Sequence, residues 1–215
     1  MPTTNFSTLV DPVASVVDGC PTPIVVNALR EAAIEACSRG LIWPANLVTV
    51  TLTAGVGGYI FSTPVAESVV AQLQSARVNG VMLDIYTDRQ AIEFDPAWLS
   101  TVQGEPRAIW QMSPTVYNVT PVPDAVTTYD LKMRVYLKPI TTASAMDTDI
   151  LNDNQDLIVH GALHRLLLQP KRPWADANMA GYHGKQFSYK LHVARSRTTL
   201  GYDNGNLLVT QRPFA

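Results

Sequence analysis

Between Asp147 and Thr199 the chain carries two stretches of helical periodicity joined by the short loop Gln169-Pro170-Lys171-Arg172-Pro173. A connection this short makes the two helices antiparallel neighbours. The first stretch predicts a helix from about Asp149 to Gln169. Ile150, Leu151, Leu157, Ile158, Gly161, Ala162, Leu163, Leu166 and Leu167 keep an apolar face along it. The second is expected to start at Pro173, because a proline at the first helical position gives up an N–H that would have no helical partner. Ala177, Ala180, Gly181, Gly184, Ser188, Leu191 and Ala194 recur at steps of three and four, which places them on one face. Glycine inside a helix costs about 1 kcal/mol relative to alanine. Two of them therefore predict a close contact, and Gly161 with Ala162 offers a matching small patch. Charge agrees: Asp147, Asp149, Asp153 and Asp156 crowd the start of the first helix, and Lys185, Lys190, Arg195 and Arg197 lie toward the end of the second. Those ends meet in an antiparallel hairpin, and each set sits at the favourable pole of its own helix dipole.

The rest of the chain is read around this hairpin. Residues 2–21 read as extended and polar, anchored by Leu9, Val10, Val13, Val16 and Val17. A helix follows from Pro23 to about Arg39, capped by Thr22 and stopped by Gly40. Val26, Leu29, Ala33, Ala36 and Cys37 line its expected buried face. Leu47 to Thr53 is strand-like, Gly55 to Gly58 reads as a turn, and Tyr59 to Thr63 as the partner of a hairpin. Val65 to Val78 fits either a helix or a bulged strand; the Asn79-Gly80 turn after it favours the strand, with Val81 to Tyr86 returning. Asp88 to Pro106 reads as irregular, with a helical turn at 96–99. Arg107 to Met112, Thr115 to Pro121 and Thr127 to Leu137 follow as strands. In the last, Tyr129, Leu131, Met133, Val135 and Leu137 alternate with Lys132, Arg134 and Tyr136.

The expected fold is therefore α+β: a helical bundle of one N-terminal helix and a long C-terminal antiparallel hairpin, with an inserted antiparallel β block and an extended C-terminal tail. Residues 1–215 form one domain on this reading. The helical core covers about 22–39 and 149–199, the β block about 46–139 and the tail about 200–215.

The composition limits the function classes. A chain of 215 residues with net charge −2 lacks the basic balance of an ordinary nucleic-acid binder. Cys20 and Cys37 form no CxxC pair and no disulfide framework, as expected of a protein made in a reducing cytoplasm. The first residues carry no secretory pattern, and no run is long enough for a membrane span.

No chemical constellation assembles. His160 and His164 have the spacing of a metal pair, with His183 and His192 as further candidates, but Gly161 stands where an HExxH motif needs glutamate. Gly55-Val56-Gly57-Gly58 precedes Tyr59 rather than Lys-Ser/Thr and opens no helix, so it is read as a turn. The aspartates at 147–156 are explained by capping. No nucleophile, base and orienter come together. The expectation is no catalytic residue, no metal, no cofactor and no enzyme. Two readings stand for the basic residues: a solvated face with ion pairs to the first helix, or contact with an acidic partner or phosphate backbone. Lys171, Arg172 and Trp174 at the hairpin tip suit docking, or Trp174 packs back on the core.

Four features together resemble the head-to-tail adaptor (neck, or connector) proteins of tailed bacteriophages. They are Asp18-Gly19-Cys20-Pro21 with the helix from Ile24 to Cys37, the strand block between helices, the run Leu163 to Trp174, and the following helix ending Ala194-Arg195-Ser196-Arg197 with a tail closing on Phe214-Ala215. The resemblance implies a structural virion protein made in the host cytoplasm and placed in the neck between capsid and tail. It implies a homo-oligomeric ring of about twelve subunits, binding portal and a tail or nozzle protein. Double-stranded DNA would pass through the lumen without sequence-specific binding, and no membrane is involved. Candidate portal, tail or inter-subunit contacts are Lys171, Arg172, Trp174, Tyr202, Leu207, Leu208, Val209, Arg212 and Phe214. Lys185, Lys190, Arg195 and Arg197 are candidates for an acidic partner or the DNA channel. The rival class is a monomeric or dimeric ligand-binding module with a pocket in the β block.

Overall fold

The computed structural model describes residues 2–94 and 103–200. The longest strands organise it. β12 (Tyr129–Pro139) pairs antiparallel with β5 (Ser68–Val78) from one end of β5 to the other, Leu131 opposite Val78 and Pro139 opposite Ser68. The other side of β12 takes β2 (Pro44–Asn46) and β3 (Val50–Leu52), and β6 (Val81–Met82) extends the sheet beyond β5. β12 keeps its alternation from Tyr129 to Arg134, apolar side chains inward and Asp130, Lys132 and Arg134 outward. Tyr136, expected outward, is buried, because the register shifts between Arg134 and Val135 and again between Tyr136 and Leu137. Such irregularities re-aim side chains and bend the strand.

A second sheet runs β4 (Gly58–Ile60), β10 (Val116–Thr120), β9 (Ala108–Gln111) and β7 (Asp84–Ile85), with β7 parallel to β9. Two short pairs complete the strands: β8 (Gln103–Gly104) with β11 (Val122–Pro123), and β1 (Thr3–Asn5) with β13 (Ala145–Asp147). The helices are α1 (Val10–Ala14), α2 (Thr22–Gly40), α3 (Asp88–Phe94), α4 (Thr148–Asp153), α5 (Gln155–Leu167) and α6 (Ala177–Leu200).

The expected helical bundle with an inserted β block is thereby corrected. The protein is mixed, 40% helical and 29% strand, with several sheets including a curled half-barrel. The reason lies in α2. It packs on β12 and on both α5 and α6, so Val25, Ala28, Leu29, Ala32, Ala33, Ala36 and Cys37 are all buried. A helix covered on two sides needs small residues, which accounts for its four buried alanines. Sheet and hairpin thus share one apolar cluster through α2.

Local expectations change in the same way. Residues 2–21 are not merely extended: after β1, a 3₁₀ turn at Phe6–Leu9 and α1 bury Phe6, Leu9 and Val13, and Val17 is buried beyond them, while Val16 faces solvent. Leu41, at φ 53°, follows α2, so Gly40 lies inside the helix. β3 and β4 do not form a hairpin; β3 joins β12 and β4 joins β10. The loop between them is held by Tyr59, whose hydroxyl accepts from Thr53 N at 3.0 Å and donates to Val56 O at 2.8 Å. Val65 to Val78 resolves as strand from Ser68, closed on β6 through Asn79-Gly80. The irregular connection after it contains α3, and its helical turn at 96–99 lies outside the described residues.

Candidate functional site

The helical hairpin is present, with different ends. Asp147 is buried and caps α4, its Oδ1 accepting from Asp149 N at 3.1 Å and Ile150 N at 3.2 Å. The helix then breaks at Asn154, whose Nδ2 donates to Ile150 O at 2.9 Å, a local bond that competes with the helical ladder. α6 starts at Ala177 rather than Pro173, because the Asp176 carboxylate caps it, accepting from Asn178 N at 2.9 Å and Met179 N at 3.1 Å.

A polar line fixes the register of α5 against α6. Lys190 Nζ donates to Asp156 Oδ2 at 3.1 Å, His160 Nδ1 meets His183 Nδ1 at 2.8 Å, and His164 Nδ1 donates to Ala180 O at 2.8 Å. At the loop, Asp176 N donates to Leu167 O at 3.1 Å. The small residues occupy the adjoining line. A Cβ on Gly161 would lie 2.8 Å from the Phe187 ring and 2.9 Å from Ala32 Cβ, and one on Gly184 would lie 2.8 Å from the His164 ring. Among the described residues nothing lies within 4 Å of that position at Gly181, so its place in the spacing reflects no contact between them. The four histidines do not converge: His160 pairs with His183, His164 is held by a carbonyl, and His192 is exposed. Among the described residues no three metal-ligating side chains come together.

The basic candidates part company. Lys171, with φ 62°, and Arg172 are exposed at the tip, and Arg172 stacks 5.7 Å over the Trp174 ring. Trp174 is half-buried against the core, and its buried Nε1 has no partner among the described residues. Arg172 also faces Cys20, where it opposes the upward push that burial gives the thiol. Lys190 is tied to Asp156. Arg197 lines a polar groove of about 550 Å³ with Asp153, Asn154, Asp156 and Tyr189, where α6 passes the α4–α5 break. Lys185 and Arg195 are exposed. Tyr202, Leu207, Leu208, Val209, Arg212 and Phe214 lie outside the described residues.

Sequence reasoning missed two features. Arg165 bridges α5 to α2, reaching Glu31 at 3.4 Å and Glu35 at 2.5 Å, and Arg39 takes the other Glu35 oxygen. The i, i+4 spacing of Glu31 and Glu35 was the available signal. The outer face of α6 was also missed: Met179, Tyr182 and Tyr189 are exposed along it, on a helix with no Asp or Glu from Ala177 to Leu200. In the β region, the apolar cleft between α3 and β9, lined by Ala91, Ile92, Trp110 and Met112, holds about 150 Å³. That is below the roughly 300–1,000 Å³ of small-molecule sites.

Compared with known proteins, the chain has no match among curated sequences. The family model described as SU10 adaptor protein matches residues 4–206. That match begins in β1, runs through both sheets and takes in the entire α5–α6 hairpin, so the chain belongs to the SU10 adaptor protein family.

Proposed function

We propose that this protein is a structural virion adaptor of a tailed phage, forming an oligomeric ring that joins portal to tail and continues the DNA channel. The observation that carries the reading is the adaptor family match over nearly the whole chain. The hairpin supports it. Its register is set by polar contacts between the two helices, and Gly161 and Gly184 are taken up in close packing between them. The outer face of α6 presents Met179, Tyr182, Lys185 and Tyr189, all exposed. Exposed aromatics beside basic residues are the composition that protein interfaces favour. In this proposal the tip residues Lys171, Arg172 and Trp174 and the segment after Leu200 reach portal, a tail protein or the next subunit. Lys185, Lys190, Arg195 and Arg197 meet an acidic partner or the passing DNA. A small negative net charge suits a channel that lets DNA slide.

Native mass measurement, alone and with the cognate portal protein, tests this. The expected result is a closed oligomer, formed alone or on adding portal. A stable monomer that neither oligomerises nor binds portal at high concentration would overturn it.

A further inference from the structure

His160 and His183 meet Nδ1 to Nδ1 at 2.8 Å, with ring centroids 5.0 Å apart. A bond between two ring nitrogens needs one N–H and one bare lone pair, so it holds one proton between them and never two. His183 is buried, and its Nε2 has no partner among the described residues. The surroundings offer little to a second positive charge. From α5 come Asp156 and His164; from α6 come Lys190 and the Tyr182 ring, edge-on to His160 at 6.4 Å and to His183 at 5.2 Å. On α2, Glu31 and Glu35 are taken by Arg165 and Arg39, and α1 brings only Asp11, which is exposed. Asp156, the carboxylate that favours charge on His160, is itself 82% exposed and already bound to Lys190.

We propose that the His160–His183 couple is an acid-released latch on the α5–α6 hairpin. Neutral, the couple shares one N–H and ties the helices together. When both rings are charged, each facing nitrogen carries an N–H, and a ring must turn away or the helices part. Burial holds both imidazoles below the ordinary histidine range, with His183 and Lys190 adding to the effect on His160 and His164 adding to that on His183. The sign follows from linkage. The unfolded chain takes up protons below about pH 6.5, while the folded couple resists them. The latch's contribution is therefore complete above that pH and is lost as pH falls through the depressed folded values.

The test uses the full chain, unfolded thermally at about pH 7.5 and about pH 5 to span the histidine range. His160→Gln keeps a hydrogen-bonding side chain opposite His183 and removes one titrating ring. Wild type is expected to lose several degrees of Tm on acidification, and H160Q less than half as much. Histidine Cε1–H NMR titration of the wild-type protein is the second arm, in case H160Q folds poorly. His160 and His183 are expected to titrate as a coupled pair below the ordinary range. An equal acid loss in wild type and H160Q, or independent titration of both rings at the ordinary value, would overturn the latch.

Discussion

The three glycines of the hairpin do different things. Gly161 and Gly184 face side chains so close that no Cβ fits, whereas the Cβ position of Gly181 is open among the described residues. The phenyl ring of Phe187 has some freedom to shift, but Ala32 Cβ is fixed on α2, so Gly161→Ala is expected to destabilise by about 1–3 kcal/mol through overpacking. Gly181→Ala relieves only backbone entropy and is expected to stabilise by about 0.5–1 kcal/mol. Urea unfolding midpoints of the two variants check both signs at once. The spacing of these residues was readable in the chain. What a Cβ would meet was not, because it belongs to the partner helix.

The hairpin as an element was legible from its periodicity, its charges and its short loop; its boundaries were not. Proline at a first helical position is a statistical preference, whereas the Asp176 carboxylate makes two hydrogen bonds to backbone N–H groups. Asp176→Ala is expected to cost about 1 kcal/mol, and Asp176→Asn, which can still accept, much less. Thermal unfolding of the pair separates capping from general damage at the tip. β12 teaches the same lesson in a strand. Its alternation correctly assigns five buried side chains, from Tyr129 to Leu137, and fails at Tyr136, where the pairing shifts. A shift of register depends on β5, a strand far earlier in the chain.

At the scale of the molecule, sheet and hairpin share a core through α2, and the buried residues of that core extend no further along the chain than Leu191 among the described residues. Removing Asn206 to Ala215 therefore takes away no described core residue. The deletion is expected to leave far-UV circular dichroism and solubility unchanged while blocking assembly with portal. A truncated protein that assembles like the full chain would show that the segment has no docking role.

What repeats at short range was legible in the sequence. That covers the helical stretches of the hairpin, the Asn79-Gly80 turn, the inward face of β12 and the opposition of the hairpin's acidic and basic ends, because periodicity and charge clustering are local properties of the chain. Tertiary structure alone decided that β3 and β4 separate into different sheets, that α2 is covered on two sides, and that His160 faces His183 while His164 does not. Each of those is a choice among distant partners, made by which surfaces bury together. It also decided the small-residue seam: the hairpin carries three glycines in the right places, and the packed helices use two of them.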